Sequence, residues 1–145
     1  MRTKVLNEHG ETTYAVVFET GEEVVSGLTR FAERQNLTAS RITAIGAFSD
    51  AVLGYFDWDK KDYQRIPVRE QVEVVSLIGD VALDGTHPKV HAHVVLGLRD
   101  GSARGGHLLE AHVRPTLEVI VTESPSYLKR EFDPVSGLAL IRLDS

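Results

Sequence analysis

The sequence predicts an α+β fold of sandwich-like form, with mixed, mainly antiparallel sheets and one main helix packed on a sheet face. Three observations carry this. Only residues 21–36 repeat apolar side chains at helical spacing. Almost everything after them has the composition and alternation of strands. No internal repeat, linker or low-complexity segment divides the 145 residues, so one domain over 1–145 is expected. A single helix against many strands is satisfied by covering one face of a sheet.

Taken in order, "TYAVVFET" (13–20) reads as a strand. In "GEEVVSGLTRFAERQN", Val24, Leu28, Phe31 and Ala32 form the apolar stripe of the helix. Glu22 and Glu23 are expected in its first turn, where the helix dipole favours negative charge, and Asn36 can end it in the left-handed conformation. "SRITAIGAFSDAVLGYFDW" is apolar on both faces, with Gly46 and Gly54 as places to bend. "DWDKKD" (57–62) turns the chain between Phe56 and Tyr63. "QVEVVSLIGDVAL" (71–83) and "KVHAHVVLGL" are strands joined by the loop "DGTHP". "RDGSARGG" turns the chain back, "PTLEVIVTE" (115–123) alternates as a strand, and "GLALIRL" closes the fold.

Composition narrows the function. With 42% apolar and 26% charged residues the chain is an ordinary globular protein. It has no cysteine, so disulfides and thiolate metal sites are excluded and any metal must be held by imidazole or oxygen. No stretch approaches the roughly 20 apolar residues of a membrane helix. "MRTKVLNEHGE" lacks the apolar core of a signal peptide, and a cytoplasmic location is expected. The net charge of −5 and the lack of a basic run weigh against binding DNA through its phosphates.

The chemistry concentrates in "VHAHVVLG" (90–97) and "RGGHLLEAH" (104–112). Residues i and i+2 of a strand share a face, so His91 and His93 project together. A turn centred on Asp100 folds the following chain back, and a register of residues summing to 200 sets His107 opposite His93. A slip of one residue would turn His107 away, and a bulge at Gly105 or Gly106 could settle the matter either way. Three imidazoles so arranged can hold zinc with a fourth position open to water or substrate. His112 is the alternative third ligand; His9 and His87 are set aside as terminal and loop residues. Metal-bound imidazoles usually donate their second N–H to a carboxylate, for which Glu118 is the first candidate and Glu110 the second.

Other patterns fail or stay bland. A cupin needs a glutamate where Gly97 and Leu98 stand. "GSARGG" could gather backbone amides around an anion, which makes Gly105 and Gly106 candidate ligand-binding residues, but it is neither a Walker loop nor a dinucleotide fingerprint. No Gly-x-Ser-x-Gly setting supports a serine hydrolase. "YLKREFD" reads as a solvated turn with local ion pairs, although Arg130 is also a candidate ligand-binding or proton-transfer group.

Glu-Val-Val-Ser-Leu-x-Gly at 73–79, His-x-His, Gly-Gly-His-Leu and the Thr-Leu-Glu-Val strand together resemble the plant-and-prokaryote conserved (PPC) domain, over nearly the whole chain. The resemblance implies mixed sheets that associate into a homotrimer. In plant members the domain follows AT-hook arms of nuclear DNA-binding regulators. This chain has no hook and keeps its histidines, as the stand-alone prokaryotic form does, so the resemblance points to His91, His93 and His107 as a metal site. The function expected is a trimeric domain with a divalent metal, zinc first, that binds or senses a small anionic ligand. A zinc hydrolase or lyase, with Glu118 as candidate catalytic residue, and a DNA-associated regulator are the alternatives.

Overall fold

The chain runs β1 (Arg2–Asn7), β2 (Thr12–Glu19), α1 (Val24–Gln35), β3 (Ala39–Asp57), β4 (Asp62–Val68), β5 (Val72–Asp84), β6 (His87–Gly97), β7 (Ala103–Glu123), β8 (Lys129–Asp133) and β9 (Leu138–Arg142). The computed structural model describes residues 1–7 and 10–143, with the backbone alone for residues 2–7. Among these residues the nine strands form one mixed sheet: all pairings are antiparallel except β5 with β8. No helix among them is long and apolar enough to cross a membrane.

The expected helix forms, and Val24, Leu28, Phe31 and Ala32 are its buried stripe. Burying Leu28 and Phe31 contributes about 1.5–3 kcal/mol each. Its acids lie earlier than expected. Glu23 is the N-cap, its carboxylate accepting from the Val25 and Ser26 amides at 3.0 and 2.7 Å, and Glu22 pairs with the chain's amino terminus at 2.7 Å. Asn36 ends the helix in the left-handed conformation, φ 52°, as expected.

The frame is the pairing of β3 with β7, strands of 19 and 21 residues. Gly46 lies where β3 shifts register against both β5 and β7, and a Cβ there would meet the Thr116 carbonyl oxygen at 2.3 Å. Because β7 is long, its first residues (103–107) reach β6 while the rest pairs with β3 and β2. Pairings β3–β5, β5–β6, β6–β7 and β7–β3 therefore close a ring of four strands. Its inner side chains, among them Leu53, Leu77, Leu96 and Leu117, are core.

Two segments differ from expectation. Residues 103–106 are not part of the turn; the turn is 98–102, where the Asp100 carboxylate accepts from the Ser102 amide and hydroxyl at 2.9 and 2.6 Å. "YLKREFD" is not a solvated turn but contains β8, which pairs parallel to β5 and antiparallel to β9 and buries Arg130. Phe48 is core, whereas Tyr55 and Trp58 are exposed. Ile45, Val75, Ile78, Val95 and Ile120 are further exposed apolar side chains of the sheet's outer face.

Candidate metal centre

Strand alternation sends Ala92, Val94 and Leu96 of β6 into the core and His91 and His93 to the other face. The β6–β7 ladder pairs His93 with His107, Val94 with Gly106 and Val95 with Gly105, the register that sums to 200. The three imidazoles meet. Their ring centroids lie 5.1–5.4 Å apart, and one nitrogen from each falls within 4.8 Å of the others.

Glycines make this approach possible. A Cβ on Gly106 would sit 2.8 Å from the Gly54 carbonyl oxygen, so its absence lets β7 lie against β3 just before His107. One on Gly79 would sit 2.5 Å from the His91 carbonyl oxygen. Gly54, directly paired with His107, leaves room for the Tyr63 ring, which stacks on the His107 imidazole at 4.6 Å between centroids. Gly105 and Gly106 thus belong to a regular ladder rather than an anion-binding loop nest, and their lack of side chains serves strand packing.

The environment favours neutral imidazoles. Burial first, then the neighbouring His91 and His93, lower the His107 pKa to about 4. Burial and His91 lower that of His93. His107 Nδ1 is buried with no hydrogen-bond partner. A buried polar atom without a partner costs roughly 1–3 kcal/mol, and a ring nitrogen in that state is suited to face a cation. Neutral imidazole nitrogens are good ligands for zinc and for other divalent transition metals.

The carboxylate beside the cluster is Asp80, paired with His91 across the β5–β6 ladder, with Oδ2 at 3.7 Å from His91 Nδ1. Its Oδ1 accepts from Nη2 of Arg130, whose Nη1 donates to the Ala139 carbonyl at 3.3 Å. Burial alone would raise the Asp80 pKa; His91 and Arg130 outweigh it and hold the carboxyl below its usual range.

Glu118 does not join the cluster. It is exposed much further along β7, opposite Val17 and Ile45, and borders a separate hollow with Val75 and Thr116. Glu110 faces Arg65 at 3.6 Å. His112 pairs with Asp50 at 2.9 Å and His87 stands opposite Asp84 at the hairpin end; neither enters the cluster. His9 lies outside the described residues. Asp80 was within reach of sequence reasoning: Asp84-Gly85-Thr86-His87 is a two-residue hairpin turn, and counting back from Asp84 opposite His87 puts Asp80 opposite His91.

A cavity of about 180 Å³ adjoins the cluster. Its lining includes Tyr63, His91 and His107, the cationic residues Lys89 and Arg130, and Leu138, Ala139 and Leu140 of β9.

Fold and site together define a histidine-bearing, all-but-one-helix β domain, and sequence comparison agrees. Residues 6–125 match the model of the Plants and Prokaryotes Conserved (PCC) domain, and the chain belongs to that family. It is similar in structure to a PPC protein from Pyrococcus horikoshii, at 32% identity and TM-score 0.86 over 99% of this chain and 96% of that one. A protein from Archaeoglobus fulgidus described as metal-containing is 34% identical, with TM-score 0.84 over 98% and 97% of the two chains. A candidate DNA-binding protein from Bacteroides thetaiotaomicron is 25% identical, with TM-score 0.87 over 97% and 96%. No protein of curated function matches the chain.

Proposed function

We propose that this chain is a cytoplasmic, homotrimeric metal-binding protein of the PPC family that holds a divalent ion, zinc first, on His91, His93 and His107. Its role is to bind or sense a small anionic ligand. The observation that carries the reading is the convergence of three imidazole nitrogens within 4.8 Å, one ring having a buried, unpartnered nitrogen. The metal-containing relative from Archaeoglobus fulgidus supports it. A bound zinc would supply a Lewis acid with one position left for an exogenous ligand. The chain's own residues do the rest: burial keeps His93 and His107 unprotonated, Asp80 steadies His91, and Tyr63 caps the His107 ring. The trimer is supported by the outer apolar side chains, with Ile45 60% and Ile78 64% exposed.

A zinc-dependent hydrolase or lyase is the second reading, favoured by the cavity beside the histidines. DNA association, suggested by the Bacteroides relative's description, is opposed by the net charge of −5. No measurable DNA binding even at low salt would end it.

The deciding experiment is elemental analysis of untagged protein and of the His91→Ala/His93→Ala variant. About one divalent ion per chain, absent from the variant, is expected. An absence of metal from both, with each folded, overturns the reading.

A further inference from the structure

We infer that the cavity between the histidine cluster and the β8–β9 hairpin is a binding site for a short-chain carboxylate, and that the hairpin determines which one. The inference deepens the metal reading and rests on it for the ion alone; the cavity's own walls carry the rest.

The walls divide by chemistry. Lys89 and Arg130 line the cavity, while the carboxylates that balance them, Asp84 and Asp80, do not. Two cationic residues and no carboxylate therefore line the cavity. Arg130 is the one charged side chain among the described residues that is buried, 8% exposed as a residue, and its Nε has no hydrogen-bond partner. A buried guanidinium is costly to keep, and replacing such an ion pair by apolar groups is often neutral or stabilising. The Arg130 Nη1 and Nη2 each give one hydrogen, to the Ala139 carbonyl and to Asp80, and each keeps a second N–H from which a planar carboxylate can accept. The opposite requirement comes from β9: Leu138 and Leu140, with Val90 of β6, offer apolar surface. An anion with a short hydrocarbon body satisfies both, and about 180 Å³ limits it to a small molecule.

The hairpin's role follows from its position: β8 supplies Arg130 and β9 supplies Leu138, Ala139 and Leu140, so the hairpin contributes both the guanidinium and most of the apolar lining.

The test is calorimetric titration of butyrate, with butyramide and inorganic phosphate as comparators, into metal-loaded and chelator-treated protein. Butyrate should bind the loaded protein at least tenfold more tightly than butyramide or phosphate. Arg130→Lys, which keeps a cation for Asp80 but loses the planar fork, and Leu140→Trp, which fills the cavity from a partly exposed position, should each weaken butyrate at least tenfold at unchanged metal content. Equal binding of butyrate and butyramide, tighter binding of phosphate, no butyrate binding, or no effect of either variant in folded protein overturns the inference. If the chain proves to hold no metal but still binds butyrate through Arg130, the metal reading fails and the carboxylate site stands.

Discussion

His93 stands directly across the β6–β7 ladder from His107 and faces Ile78 on its other side. Ile78 in turn pairs with Thr43, and Thr43 with Ile120. The histidine cluster is therefore continuous, strand by strand, with the apolar outer face.

That continuity predicts how the proposed trimer fails. Ile78→Asp places a charge in the middle of the row, and a buried unpaired charge costs several kcal/mol in an interface. Sedimentation equilibrium should show the parent as a trimer and the variant as a monomer. A variant that remains trimeric would place the interface elsewhere.

His107→Phe should raise the stability of metal-free protein by about 1 kcal/mol, because it removes a buried nitrogen that lacks a partner. The same change should abolish the metal-dependent stabilisation expected of the parent, about 2.7 kcal/mol at a free metal concentration one hundred times Kd. Urea unfolding with and without added zinc reads both effects.

The glycines give a graded series. Gly79→Ala and Gly106→Ala press a Cβ to 2.5 and 2.8 Å from backbone oxygens, whereas at Gly105 the nearest atom is 3.2 Å away. The first two should lose roughly 1–3 kcal/mol and weaken metal binding, since strands must part to relieve the overlap. Gly105→Ala should cost less. Denaturation midpoints of the three variants would order them.

Away from the cluster, His112 and Asp50 form a pair at 2.9 Å. The Asp50 hydrogen bond raises the His112 pKa above 6.5, and the His112 hydrogen bond lowers that of Asp50 below 3.8. The His112 contribution is full below its unfolded pKa and disappears as pH rises through the raised folded value. The Asp50 contribution is present above its unfolded pKa and disappears as pH falls through the lowered one. The pair thus stabilises in mildly acidic solution. Both side chains are more than a third exposed, so screening limits the gain to less than about 1 kcal/mol. Asp50→Asn should destabilise at pH 5.5 and have almost no effect at pH 9.

Legibility followed the length scale of each signal. The histidine register could be counted because one short turn at Asp100 sets it, and the helix because its stripe and its Asn36 end are local. Glu118 was attractive as a polar residue opposite an apolar row, but alternation tells a face, not a place along a strand of 21 residues. Arg130 and its neighbours looked like a charged turn because β8 has only five residues and owes its burial to β5, a segment distant in the chain. Tyr63 carried no chemical signal of its own; only the pairing of β4 with β3 and of β3 with β7 brings it to His107.

The ring of strands does not hold the three histidines equally. His93 is paired on both sides, to Ile78 and His107, and His107 to His93 and Gly54. His91 is paired on one side only, to Asp80, because the β6–β7 ladder begins at His93. Two members of the cluster are therefore clamped and the third is compliant. In amide hydrogen exchange, His93 and His107 should open only with the ring itself, while the β6 backbone before His93 exchanges through smaller, local fluctuations. The give in the cluster lies at His91, one of the two histidines that line the cavity.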